Sequence, residues 1–116
     1  MNAAFGPAGR PDSFETMGYK KTEQMPEYLQ KFGLDAFEYQ FGRGVRYTEG
    51  TVRAFGEKAA AAGIRLSVHS PYYISLSSVE EEKRENSIRY LEEGAGAARL
   101  MGADRIVVHT GSCGKI

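Results

Sequence analysis

Short strand-like runs alternate along this chain with stretches that repeat at helical spacing, and that alternation limits the folds open to it. The strand-like runs are Asn2 to Gly6, Asp35 to Phe41, Ile64 to His69 and Ile106 to His109. The first is a short apolar run halted by a glycine and proline cluster, Gly6-Pro7-Ala8-Gly9-Arg10-Pro11, which reads as loop. A helix fits Pro26 to Phe32, with Met25, Leu29 and Phe32 on one side and Gly33 as a left-handed stop. The next starts at Thr48, a suitable cap with Glu49 in the positive first turn, repeats Val52, Phe55, Ala59 and Ala62 at helical spacing, and ends at Gly63. A third is expected from a capping box of Ser78 and Glu81, with Ile88, Leu91, Ala95 and Ala98 as its buried stripe and Gly102 as its end. Gly94 and Gly96 inside that helix each cost roughly 1 kcal/mol relative to alanine, which points to close packing there. The order predicts right-handed βαβ units and a parallel sheet, an α/β protein of about four strands and three helices.

The strands are two-faced. Phe37, Tyr39 and Phe41 alternate with Glu38 and Gln40, and Ile64, Leu66 and Val68 alternate with Arg65, Ser67 and His69. Strands of a doubly wound sheet are covered by helices on both faces and tend to be apolar throughout, whereas a barrel can carry polar groups on its inner face. The alternation therefore favours a barrel. At 116 residues the chain is at most one domain and under half of the ~250 residues that a complete (β/α)8 barrel takes.

His69 and His109 are the only histidines. Each closes a strand and opens a loop of small residues, in Val68-His69-Ser70-Pro71-Tyr72 and Val108-His109-Thr110-Gly111-Ser112. Carboxyl ends of parallel strands are where such sheets bind ligands and metals, and imidazole is the commonest metal ligand near neutral pH. Adjacent strands lie ~4.8 Å apart, so both rings can reach one ion; the other reading of each is a strand-end histidine whose ring is satisfied by a backbone carbonyl. Zinc suits two imidazoles but wants at least a third protein ligand. Glu38 faces inward and is a candidate, either as ligand or as a hydrogen-bond acceptor.

Composition closes other routes. Fifteen basic and fifteen acidic residues cancel, which leaves no polycationic footprint for non-specific nucleic-acid binding. No run of about 18 apolar residues and no basic-then-apolar amino terminus appears, so a cytoplasmic protein is expected. The lone cysteine, Cys113, makes no internal disulfide, fits a reducing compartment and reads as a free thiol.

The run Ser67-Val68-His69-Ser70-Pro71-Tyr72-Tyr73-Ile74-Ser75-Leu76, with Val108-His109-Thr110-Gly111-Ser112 about forty positions later and Ala98-Arg99-Leu100-Met101-Gly102-Ala103 between them, resembles the endonuclease IV family of abasic-site DNA repair enzymes. These belong to the xylose isomerase-like TIM barrels. The similarity runs from about Asp35 to Ser112. It implies that residues 1–116 form the amino-terminal half of a barrel, a truncated single domain. It also implies that His69 and His109 ligate one zinc of a trinuclear cluster, the accompanying glutamate lying beyond Ile116. Tyr72 matches a tyrosine that the family inserts into DNA at the abasic site, and the Arg43 to Arg46 loop matches one that sends in an arginine, here Arg46. The activity implied is zinc-dependent hydrolysis of the phosphodiester 5′ to the abasic site, with no protein nucleophile required. The chain departs from the family at Phe5-Gly6-Pro7, where many members carry a histidine, and it lacks counterparts for the remaining ligands.

Two other readings stand beside this one. One is a sugar isomerase or epimerase on the same barrel, in which Glu38 gains importance. The other is a non-catalytic half-barrel that self-associates through its open edge. As an isolated chain the protein is expected to be catalytically inactive and to bind zinc weakly.

Overall fold

The computed structural model describes residues 2–42 and 44–112. Three strands, β1 (Ala36–Gln40), β2 (Arg65–His69) and β3 (Ile106–Val107), form a parallel sheet in the order β1-β2-β3. Around them lie α1 (Asp12–Thr16), α2 (Met25–Lys31), α3 (Glu49–Ala61) and α4 (Glu81–Met101), with a single 3-10 turn at Thr22–Gln24. The register sets Phe37 against Leu66, Glu38 against Ser67, Gln40 against His69 and His69 against Val107. The class expected from the alternation is the class observed, an α/β arrangement of parallel strands and crossover helices.

The two strand faces differ as their residues require. Phe37, Leu66 and Val68 are buried with Val52, Phe55 and Ala59 of α3 and Ala97, Ala98 and Met101 of α4. Phe55 meets Phe37 edge-on at 6.0 Å and Tyr39 at 5.5 Å, which is a favourable aromatic geometry. On the opposite face Ser67 donates a 2.9 Å hydrogen bond to the Glu38 carboxylate. Gly56 lets α3 approach α4, since a Cβ there would overlap the Met101 carbonyl.

Three local expectations are corrected. First, Asn2 to Gly6 forms no regular strand. The chain runs beside β1 as an irregular ribbon: the Asp35 and Ala36 amides donate to the Phe5 carbonyl, Glu38 donates to Pro7, and Gly9 donates to Glu38. Pro7 turns its carbonyl toward β1 but has no N–H to return, so the ladder breaks there. Gly6 lies so near the Ala36 carbonyl that any Cβ would overlap it. Beyond Pro11, α1 forms in a stretch to which the sequence reading assigns no element, with Phe14 fully buried between Tyr19 and Tyr28.

Second, α4 presents a different face. Ala98 is buried as expected, but its companions are Ser87, Gly94, Ala97 and Met101, while Ile88 is half exposed. Small residues win because they allow close approach: a Cβ on Gly96 would meet the Tyr47 hydroxyl at a tight 3.2 Å, and one on Gly94 would come into ordinary contact with the Ser70 hydroxyl at 3.6 Å. Third, Ser78 and Glu81 make no reciprocal box. The Ser78 Oγ accepts the Glu80 N–H at 3.1 Å, and Arg84 ties the Ser78 carbonyl at 2.6 Å. The Thr48 cap forms as expected, its hydroxyl accepting the Thr51 N–H at 3.3 Å. Among the described residues no helix is long and apolar enough to cross a membrane.

Candidate metal centre

β2 ends at His69, and the chain then turns into the loop before α4. The Ser70 N–H donates to the Val107 carbonyl at 2.9 Å, which holds this turn against β3. The last strand stops at Val107 rather than His109, and the segment that follows carries His109 back over the end of β2. There the two imidazoles meet, Nε2 to Nε2 at 3.1 Å, with ring centroids 4.9 Å apart.

The tautomer of the neutral His69 ring follows from its other nitrogen. Nδ1 lies 2.8 Å from the Ser70 carbonyl oxygen, which can only accept, so Nδ1 carries the hydrogen and Nε2 keeps its lone pair in the neutral ring. A ring N–H given to a backbone carbonyl, with the free lone pair aimed at a shared point, is the way proteins orient a metal-ligating histidine. Two nitrogens bound to one tetrahedral zinc at ~2.0–2.1 Å lie about 3.3 Å apart, close to the separation seen. The donor chemistry thus fits one zinc as a two-imidazole set. Among the described residues no third histidine, cysteine, aspartate or glutamate joins them, and Glu38 is occupied with Ser67 further down the inner face. Cys113 lies outside the described residues, as does Arg43.

Tyr72 stands 65% exposed beside this pair, its ring 6.1 Å from that of His69. Its amide donates to the Gly42 carbonyl at 3.3 Å, so the loop after β1 supports it from behind. Arg46, in the same loop, is exposed. A cleft of about 440 Å³ opens on the other side, lined by Tyr72, Tyr73, Ile74, Ser75, His109 and Gly111 among others. The strand-end loops are bonded to one another: Phe41 N–H to the His69 carbonyl at 3.1 Å, Tyr72 to Gly42, and Leu76 N–H to the Thr110 carbonyl at 2.9 Å. The reading from sequence missed Ser87, which receives the Ser75 N–H at 2.8 Å. Its signal was only a polar residue at a position that the small-residue face of α4 would bury.

Comparison with known proteins follows the same line. Residues 26–115 match the xylose isomerase-like TIM barrel family. An uncharacterised protein of Methanocaldococcus jannaschii is 36% identical over 107 residues, 92% of this chain and 36% of that protein. A probable endonuclease 4 of Streptomyces coelicolor is 39% identical over 59 residues, 51% of this chain and 20% of that one. The crystal structure of D-psicose 3-epimerase in the presence of D-fructose superposes with a TM-score of 0.65 at 20% identity, covering 75% of this chain and 31% of the epimerase. That is a likeness of fold alone. The chain spans 20 to 36% of the length of these three proteins. Parallel βα order, a polar inner face and the match over residues 26–115 lead to one conclusion: the chain belongs to the xylose isomerase-like TIM barrel family.

Proposed function

We propose that this chain is the amino-terminal part of a zinc-dependent nuclease that hydrolyses DNA on the 5′ side of abasic sites, with His69 and His109 as two ligands of one zinc. The observation that carries the reading is the convergence of two Nε2 atoms at 3.1 Å at the carboxyl end of a parallel sheet, one of them oriented by a backbone carbonyl. Similarity to a probable endonuclease 4 supports the choice of substrate class. Zinc, when bound, would supply Lewis acidity toward a phosphodiester.

The chain's own residues then have separate tasks. His69 keeps its proton on Nδ1 and presents a lone pair; His109 closes the second side. Tyr72 offers an exposed ring against which a nucleotide of a distorted duplex can stack. Arg46 places a cation on the adjacent loop, where a phosphate contact positions the duplex without reading sequence. A sugar epimerase reading has less support, because the Glu38 carboxylate it needs accepts a hydrogen bond from Ser67 and stands apart from the imidazoles.

Isothermal titration of zinc into the chain tests the shared site. Weak binding is expected, falling at least about tenfold in both His69→Ala and His109→Ala; equal affinity in both variants and the parent chain removes the site. A duplex containing one abasic site should bind more tightly than the intact duplex, with the preference lost in Tyr72→Ala.

A further inference from the structure

Ser87 is fully buried on α4, and neither the metal pair nor the DNA-facing residues use it. Its Oγ donates to the Lys83 carbonyl at 2.7 Å, the back-bond that a helical serine commonly makes. The same oxygen also accepts the Ser75 N–H at 2.8 Å, and this second bond leaves the helix. It fixes the middle of the loop between β2 and α4.

The next residue hands the constraint on. Leu76 N–H donates to the Thr110 carbonyl at 2.9 Å, and Gly111 comes so close that a Cβ on it would lie 3.1 Å from the Ser75 Cα. β3 ends at Val107, so sheet pairing does not hold His109. Among the described residues, the Leu76 bond is the backbone hydrogen bond that ties residues 108–112 to the rest, joined by the Ser77 hydroxyl on the Ser112 carbonyl at 3.3 Å and by the contact of the His109 ring with that of His69 at 3.1 Å. His69 is different, since it belongs to β2 and is placed by the sheet.

We propose that Ser87 is a positioning residue for His109. Through Ser75 and Leu76 it sets where the second imidazole stands, and hence the gap across which the two Nε2 atoms meet. The inference rests on the metal reading of the pair, and it names the residue that holds one ligand in reach of the other.

The test joins a measurement independent of metal to one that needs it. In Ser87→Ala, amide exchange at Ser75 and Leu76 should speed about tenfold, while that in β1 and β2 stays as in the parent. Cobalt(II), used as a visible probe for the zinc site, should bind about tenfold more weakly to this variant, with the affinity restored in Ser87→Thr, which keeps the hydroxyl. Ile88→Ala, next in sequence but half exposed, should change neither. Unchanged exchange at Ser75 in Ser87→Ala overturns the proposal, as does faster exchange with cobalt affinity intact. If the extra methyl of Ser87→Thr disturbs α4, exchange along the helix reveals it and Ser87→Ala decides alone. Should the parent chain take up no cobalt, the metal reading falls, and exchange at Ser75 still decides whether Ser87 anchors the loop.

Discussion

The side chain and main chain of Ser70 serve opposite ends. Its carbonyl takes the Nδ1 proton of His69, while its hydroxyl is buried with no hydrogen-bond partner among the described residues. A buried unpaired hydroxyl costs about 1–3 kcal/mol. Ser70→Ala is therefore expected to leave zinc affinity unchanged and raise stability by about 1 kcal/mol, read as a higher urea midpoint at constant m-value. A drop in stability would show that the hydroxyl has a use not visible in its contacts. The two histidines drew notice in the sequence because each closes an apolar run before small residues. Ser87 could not be found that way, for a single serine in a helix reads as solvent-facing until the helix's orientation is known.

Elements show where sequence patterns carry and where they mislead. Alternation in β1 and β2 was readable because Phe37, Leu66 and Val68 are large and their neighbours polar. The phase of α4 was legible only in part: Ala98 and the packing at Gly94 were expected, but hydrophobic weight favours Ile88 and Leu91, whereas Ser87, Ala97 and Met101 are the residues buried. The run Asn2 to Gly6 has strand-like composition, but the proline that follows removes a donor the ladder needs. Close approach at Gly56 gives a direct expectation. Gly56→Ala must push α3 away from the Met101 carbonyl, and the overpacking should cost about 1–3 kcal/mol, measured as a lower melting temperature; an unaltered one would mean that the helices shift freely.

At the amino ends of the strands, Asp104 accepts bonds from Arg105 at 3.0 Å and Arg65 at 3.1 Å. These bonds, that to Arg105 first, hold its carboxyl below the usual range. A depressed folded value means that this contribution is present above the ordinary carboxylate pKa of about 3.9 and is lost as pH falls through the folded one. The group is about half exposed, so the effect is small. Asp104→Asn should lower stability slightly at neutral pH and flatten the acid limb below about pH 4, where variant and parent converge. An acid limb as steep as the parent's would count against the bridge.

For the molecule as a whole, the sheet is asymmetric. One side of β1 carries the irregular ribbon, whereas the outer edge of β3 has no strand beside it among the described residues, and Val107 is exposed there. In these 116 residues taken alone, such an edge is open to pairing with another chain. Sedimentation velocity should show an average mass that rises with concentration, reduced in Val107→Lys. A single species of monomer mass at all concentrations would remove the expectation.

The bonds that join each strand-end loop to its neighbour also bear on how a visitor is received. Phe41 leans on His69, Tyr72 on Gly42 and Leu76 on Thr110, so the rim is already settled before anything arrives. Little conformational freedom is left for an incoming ligand to quench, and affinity at this mouth should reflect the fit of the guest more than the taming of the host.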